Sequence, residues 1–233
     1  MKRTRKVLLM TSLIFTIVTL MVVSCQKEEA MALPTGDMKE YEVVPSDDTL
    51  NCYCLVNPSD TVTQAETDML LYMREEEKLA RDVYNSMYAL YQIPVFKNIP
   101  KSEQHHMDQV LCLLNHYGIP DPASPEAGIF TNPVLQSLYD TLIAQGSVSL
   151  VDALEVGAII EDLDIDDLEE SLEQTLNPAI ILTFERLACA SGHHIRAFSA
   201  WLTSKGVTYV PQYISQEEYD SIINSPAQFC GAK

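Results

Sequence analysis

The chain has 233 residues, 47% of them apolar and 8% aromatic, with 15 Lys+Arg against 33 Asp+Glu and a net charge of -18. That is globular composition of a length that suits one domain with appendages, and Gly at 8 and Pro at 12 exclude a fibrous or low-complexity chain. Nucleic acid is excluded as a partner, because a phosphate backbone is held by clustered Lys and Arg and no basic stripe remains beyond the N-terminus.

Residues 1–24 open with Lys2, Arg3, Arg5 and Lys6, continue as an apolar run from Val7 to Val23, and carry no acid. They read as a secretion signal, with an uncleaved anchor helix as the alternative. Val22-Val23-Ser24-Cys25 resembles the lipobox of bacterial lipoproteins, which implies lipidation of Cys25 as the first mature residue. Gln26-Lys27-Glu28-Glu29 resembles the acidic signal that carries some Gram-negative lipoproteins to the cell surface; a plain solvated tether is the alternative. The expected location is the cell envelope, as an outer-membrane lipoprotein that is periplasmic or surface-exposed and held to the membrane through Cys25. Residues 25–62 are rich in Pro, Asp, Ser and Thr and read as a flexible linker.

The folded domain is expected over residues 63–233. Thr63-Gln64-Ala65-Glu66 is a capping box, and Met73, Glu77, Ala80, Tyr84 and Met87 then recur at helical spacing to about Leu90, where Pro94 bars continuation. A second helix is predicted from about Ile99 to Tyr117, with Gly118 as its stop. Asn132-Pro133 opens a short helix to about Ala144, and Ser149 with Asp152 opens a third long one through Leu154, Gly157, Glu161, Asp164 and Leu168. Asn177-Pro178 starts a fourth that runs to about Ser204, and Ser215-Gln216-Glu217-Glu218 caps a last short helix to about Ile223. No stretch alternates for long enough to be a strand, so the fold class is all-α, with four main helices and two short extra ones.

Each long helix turns a metal-competent group inward: Glu77 in the first, Glu103 and His106 in the second, Glu161 and Asp164 in the third, His194 in the fourth. Buried carboxylates cost several kcal/mol each and repel one another, which a divalent or trivalent cation relieves. Glu103-x-x-His106 stacks two ligands on one helix face. Carboxylate with imidazole suits iron or manganese, and zinc less well. The alternative is that these acids lie on solvated faces. His105 and His193 face about 100° away from the proposed ligands, and His116 suits the negative end of its helix. Tyr84 is placed either to hydrogen-bond a ligand carboxylate or simply to pack. Of the cysteines, Cys112 and Cys189 read as buried small hydrophobes, and a bridge from Cys52 or Cys54 to Cys230 would staple the ends of the domain.

Glu77-Lys78-Leu79-Ala80-Arg81-Asp82-Val83-Tyr84 resembles the first-helix pattern of rubrerythrins, within the ferritin-like di-iron superfamily. Glu103-x-x-His106 and Glu161-x-x-Asp164 are similar to its second- and third-helix ligands. Together with Ser102-Glu103-Gln104-His105-His106-Met107 and Tyr209-Val210-Pro211-Gln212-Tyr213-Ile214-Ser215, residues 65–224 resemble a ferritin-like family of unknown function in bacteria and archaea. The resemblance implies a ferritin-like four-helix bundle with a di-iron carboxylate centre on Glu77, Glu103, His106, Glu161, Asp164 and His194. One departure stands out: Ser191-Gly192-His193-His194 replaces the Glu-x-x-His of the fourth helix, so Asp164 or water fills the gap or the site holds a single, mononuclear metal.

Two functions follow. The first is a non-haem iron oxidoreductase, a ferroxidase or peroxide-consuming enzyme. The second is a non-catalytic surface lipoprotein with a structural metal or none, which binds a protein partner or captures metal ions. A homodimer and the identity of any protein partner are left open, and no hydrolase nucleophile motif is present.

Overall fold

The computed structural model describes residues 61–226 and Cys230. The expected leader, Cys25, Cys52, Cys54 and all but the end of the linker lie outside the described residues. Among the described residues there are six helices and no strand: α1 (Gln64–Tyr91), α2 (Pro94–His116), α3 (Pro133–Gly146), α4 (Leu150–Gln174), α5 (Pro178–Ser204) and α6 (Gln216–Asn224). None of them is long and apolar enough to cross a membrane.

The starts follow the expected caps. Thr63 and Glu66 form the reciprocal capping box, and the side chains of Asn132, Ser149, Asn177 and Ser215 each accept from an orphan amide in the first turn of the helix they open. The second helix departs from expectation. It begins at Pro94 rather than near Ile99, because a proline at the first helical position needs no N–H partner. Pro94 therefore does not merely bar continuation of α1, which ends where Gln92 adopts φ 52°; it also opens the return helix. Pro100 lies inside α2.

Helices α1 and α2 form one hairpin and α4 and α5 a second, each packed most closely within itself. The connection between hairpins spans residues 117–149 and includes α3, which lies against α1 and α4. The apolar core comes in two clusters. One joins Leu70 and Met73 of α1, Leu113 of α2, Leu168 of α4 and Ile180 of α5. The other, larger one joins Val83 and Met87 of α1, Phe96 of α2, Leu154 of α4 and Phe198 of α5. The first cluster thus pairs the N-terminal halves of α1 and α5 with the C-terminal halves of α2 and α4. The four long helices run up, down, down, up, and the long connection returns the chain from one end of the bundle to the other.

Residues 73–80 of α1 are all buried, charged side chains included, because the connection wraps the outer face of that helix. Arg74 bonds Asp121 through two nitrogens, and Glu75 accepts from the amides of Thr131 and Asn132 at the entry to α3. Lys78 is fully buried, with Nζ 2.6 Å from Asp82 and 3.0 Å from the Glu126 carbonyl, over the ring of Phe130. Gly128, at φ 72°, donates its amide to Asp82, and a Cβ there would meet the Tyr139 hydroxyl at 2.8 Å. Past α5, the Tyr209–Ser215 segment folds over α4 onto Asp162. That fully buried carboxylate accepts from the Tyr209 hydroxyl (2.7 Å) and from the amides of Gln212, Tyr213 and Ile214.

The cysteines correct the sequence reading. Cys230 is bonded to Cys189, not to Cys52 or Cys54, so the bridge ties the C-terminal tail to the middle of α5. Cys112 is disulfide-bonded as well, so neither it nor Cys189 is an inert hydrophobe.

Candidate metal centre

Between the two apolar clusters lies a layer of buried polar side chains. Glu77 and Glu161 reach into it from α1 and α4, Glu103 and His106 from α2, His194 and Ser191 from α5; the five Glu and His residues are 8% exposed or less. Ligand-competent atoms of Glu77, Glu103 and His106 lie within 4.8 Å of one another, and so do those of Glu103, Glu161 and His194. Glu103 belongs to both triads. His106 Nδ1 is 3.1 Å from Glu77 Oε2 and 2.9 Å from Glu103 Oε2. His194 Nδ1 is 3.0 Å from Glu103 Oε1 and 3.2 Å from Glu161 Oε2. The two imidazoles face each other with centroids 5.6 Å apart and planes 25° from parallel.

Asp164 stands outside both triads. Its Oδ2 accepts from the Ser191 hydroxyl at 2.5 Å, so Ser191 of α5 holds a carboxylate supplied by α4. Tyr84, fully buried, donates to Glu161 Oε1 at 2.5 Å and so both packs and orients a candidate ligand. Ser102 sits 3.3 Å from the outer nitrogen of His106 and fixes that ring from behind.

The electrostatics reflect crowding. Burial, reinforced by Glu103 and only partly offset by His106, pushes Glu77 up to about 7. Burial raises Asp164 well above the carboxylate range, with Glu77 and Glu161 adding to it. Burial also opposes charge on Glu103, yet the two imidazoles outweigh it and hold that carboxyl well below its usual value. Burial likewise disfavours charged His194, but Glu103 and Glu161 prevail and push it up to about 10. His106 is raised well above its ordinary value by Glu77 and Glu103 in the same way. Protons on the imidazoles supply part of the positive charge the layer needs.

That supply is incomplete. Glu77 Oε1, Glu103 Oε1 and Asp164 Oδ1 are buried without a hydrogen-bond partner. A single imidazole proton cannot serve two carboxylates: the one on His194 is directed at Glu161, which leaves Glu103 Oε1 bare. The orphaned oxygens of Glu77 and Glu103, beside two inward Nδ1 atoms, form a donor set that fits divalent cations in chemistry. Glu77, Glu103 and His106 would hold one ion; Glu103, Glu161 and His194 would hold a second.

Of the six sequence candidates, five meet in the two triads and Asp164 lies beside them through Ser191. His105 and His193 belong to neither triad. Sequence reasoning missed Glu76, 2% exposed and raised well above its usual value by burial and by the neighbouring carboxyl of Asp167. The sequence carries no signal for it, because a helix buried on one side would hide only one of Glu75-Glu76-Glu77 and the covering connection is distant in sequence.

Comparison with known proteins agrees with the fold and leaves the chemistry open. An uncharacterised protein of the archaeon Methanocaldococcus jannaschii, MJ0754, is 48% identical over 172 residues, which cover 73% of this chain and 93% of the relative. The crystal structure of hypothetical protein MJ0754 superimposes with a TM-score of 0.73, covering 74% of this chain and 99% of that one. The N-terminal segment with Cys25 lies outside the family match, which spans residues 66–226. Over those residues the chain belongs to the family described as "Uncharacterized protein domain (DUF2202)".

Proposed function

We propose that this chain is a ferritin-like protein of the cell envelope, held to the membrane through lipidated Cys25, which binds two iron or manganese ions through Glu77, Glu103, His106, Glu161 and His194 and oxidises ferrous iron or consumes peroxide. The observation that carries the reading is Glu103, shared between two buried Glu/His triads with one oxygen directed to each. The up-down-down-up order with a long connection after the second helix supports the ferritin-like assignment. The leader and lipobox-like sequence support the envelope location.

When bound, the ions would supply redox chemistry in which oxidation of two ferrous ions provides the two electrons that, with two protons, reduce one peroxide to two waters. The chain's own residues prepare the site. Glu103 bridges the triads, Tyr84 fixes Glu161, Ser102 fixes His106, and Ser191 keeps Asp164 aimed at the layer. The apolar clusters above and below exclude water, which strengthens every charge interaction between them. Elemental analysis of purified protein, with His106→Ala beside it, tests the reading. About two metal ions per chain, lost in the variant and accompanied by peroxide or ferrous-iron turnover, are expected. Fewer than one ion after loading with ferrous iron would refute it.

The alternative, a structural metal without turnover, draws on Ser191 in place of a carboxylate. It predicts that chelation lowers the melting temperature while neither activity is present in loaded protein.

A further inference from the structure

A second group of ligand-competent atoms lies on the other side of α5. Cys189, His193 and Cys230 present two sulfurs and a ring nitrogen within 4.8 Å of one another, all three residues half-buried. Cys189 and His193 are one turn apart on α5, so both side chains lie on one face, and Cys230 reaches that face from the tail with its Cα 5.6 Å from that of Cys189. Cys189 and His193 border a cleft of about 270 Å³ among α4, α5 and α6, lined also by Glu169, Arg196 and Glu218. None of these residues belongs to the triads of the candidate metal centre.

A bridge that only pins a tail needs neither an imidazole within reach of both sulfurs nor an open cleft beside it. Two thiolates and an imidazole form a donor set typical of zinc and of other soft divalent ions. Across the cleft, Glu169 is pushed up to about 7 by burial and by the facing carboxyl of Glu218.

We infer that Cys189, His193 and Cys230 form a redox-gated site for a soft divalent cation, closed as a disulfide in the oxidised chain and opened by a dithiol reductant. The balance is simple. Two electrons and two protons from the dithiol cleave the Cys189–Cys230 bond to two thiols, and the reductant becomes a disulfide. The cation then displaces both thiol protons and takes two thiolates and the His193 imidazole, leaving a fourth position toward the cleft. On a tetrahedral ion the sulfurs stand roughly 3.8 Å apart, farther than a covalent bond between them allows, so Cys230 must retreat from its bonded position. It sits on the tail beyond α6, the part of the site not built on a long helix.

Cobalt(II) added to the full chain tests this, because thiolate ligands give a near-ultraviolet charge-transfer band that carboxylate and imidazole ligands do not. The readout therefore sees sulfur alone and is independent of whether the Glu103 centre binds metal. The reduced chain is expected to take up one additional cobalt with that band, and the oxidised chain to show none. Cys189→Ser and Cys230→Ser should each abolish the band, and Cys112→Ser should keep it. His193→Ala retains both sulfurs and the disulfide, and should weaken cobalt binding at least tenfold once reduced. No band in the reduced chain, whether or not its helical circular dichroism persists, overturns the inference; so does a band that survives Cys189→Ser.

Discussion

Replacement of Asp162 by alanine should peel the Tyr209–Ser215 segment from α4. The carboxylate is 0% exposed and accepts four hydrogen bonds, from the Tyr209 hydroxyl and from the amides of Gln212, Tyr213 and Ile214. Gln212 and Tyr213 are exposed, so their amides regain water and cost only the net bond, about 1 kcal/mol each. Tyr209 and Ile214 are 5% exposed, and their donors would be stranded at about 1–3 kcal/mol apiece. Detachment of the segment caps the loss, so about 3–5 kcal/mol is expected. For a domain of this size that is a fall in melting temperature of roughly 6–20 °C. Asp162→Asn, which keeps one acceptor but turns an amide toward the remaining donors, should fall between wild type and alanine. Urea denaturation monitored by circular dichroism reads both variants. A loss under about 1 kcal/mol for Asp162→Ala would refute the claim that this carboxylate anchors the segment.

Gly157→Ala would place a Cβ 2.3 Å from the Phe198 ring, itself wedged against Tyr84 and Phe96. A loss of about 1–3 kcal/mol is expected in denaturant titration, and a neutral variant would contradict the packing described. Ser191→Ala removes the donor to Asp164 and should weaken manganese binding by roughly ten- to a hundredfold in calorimetric titration, since groups that orient ligands carry that much affinity. Unchanged affinity would exclude Asp164 from the centre. Glu169 has a folded-state value raised from 4.5 to about 7 by burial and by Glu218, so the native state binds more protons than the unfolded one in that window. Its contribution is complete below about 4.5 and lost as the pH rises through 7. Glu218→Gln should therefore flatten the decline in stability between pH 5 and pH 8, by a modest amount because Glu169 is largely exposed; identical slopes in wild type and variant would count against the carboxyl pair.

Helix starts were legible because a cap is a local device: Thr63, Asn132, Ser149, Asn177 and Ser215 each hold an amide two or three residues away. Five of the six candidate ligands were legible as well, since helical periodicity alone puts Glu77, Glu103, His106, Glu161 and His194 on inward faces. Partners distant in sequence were not. Asp162 reads as one more charge on an acidic helix, and only the Tyr209–Ser215 segment, recognised as a motif but not for what it grips, gives it a role. Lys78 looks like a solvated lysine until Asp82, the Glu126 carbonyl and Phe130 enclose it. The Cys189–Cys230 pairing, 41 residues apart, has no local signature. Pro94 was read only as a terminator because the turn at Gln92 is so short that one residue serves both helices.

The charged layer divides the interior, and the two apolar clusters it separates share no buried residue. Each can therefore open on its own, as a cooperative unit with its own free energy of local unfolding. The smaller cluster, made of the first turns of α1 and α5 and the last turns of α2 and α4, should exchange its amide protons sooner than the larger one, which α3 and α6 also cover. Glu103 is the residue through which the two could be joined. An ion gripped from all four long helices at the boundary would merge two reservoirs of fluctuation into one, and slow exchange at both ends of the bundle together.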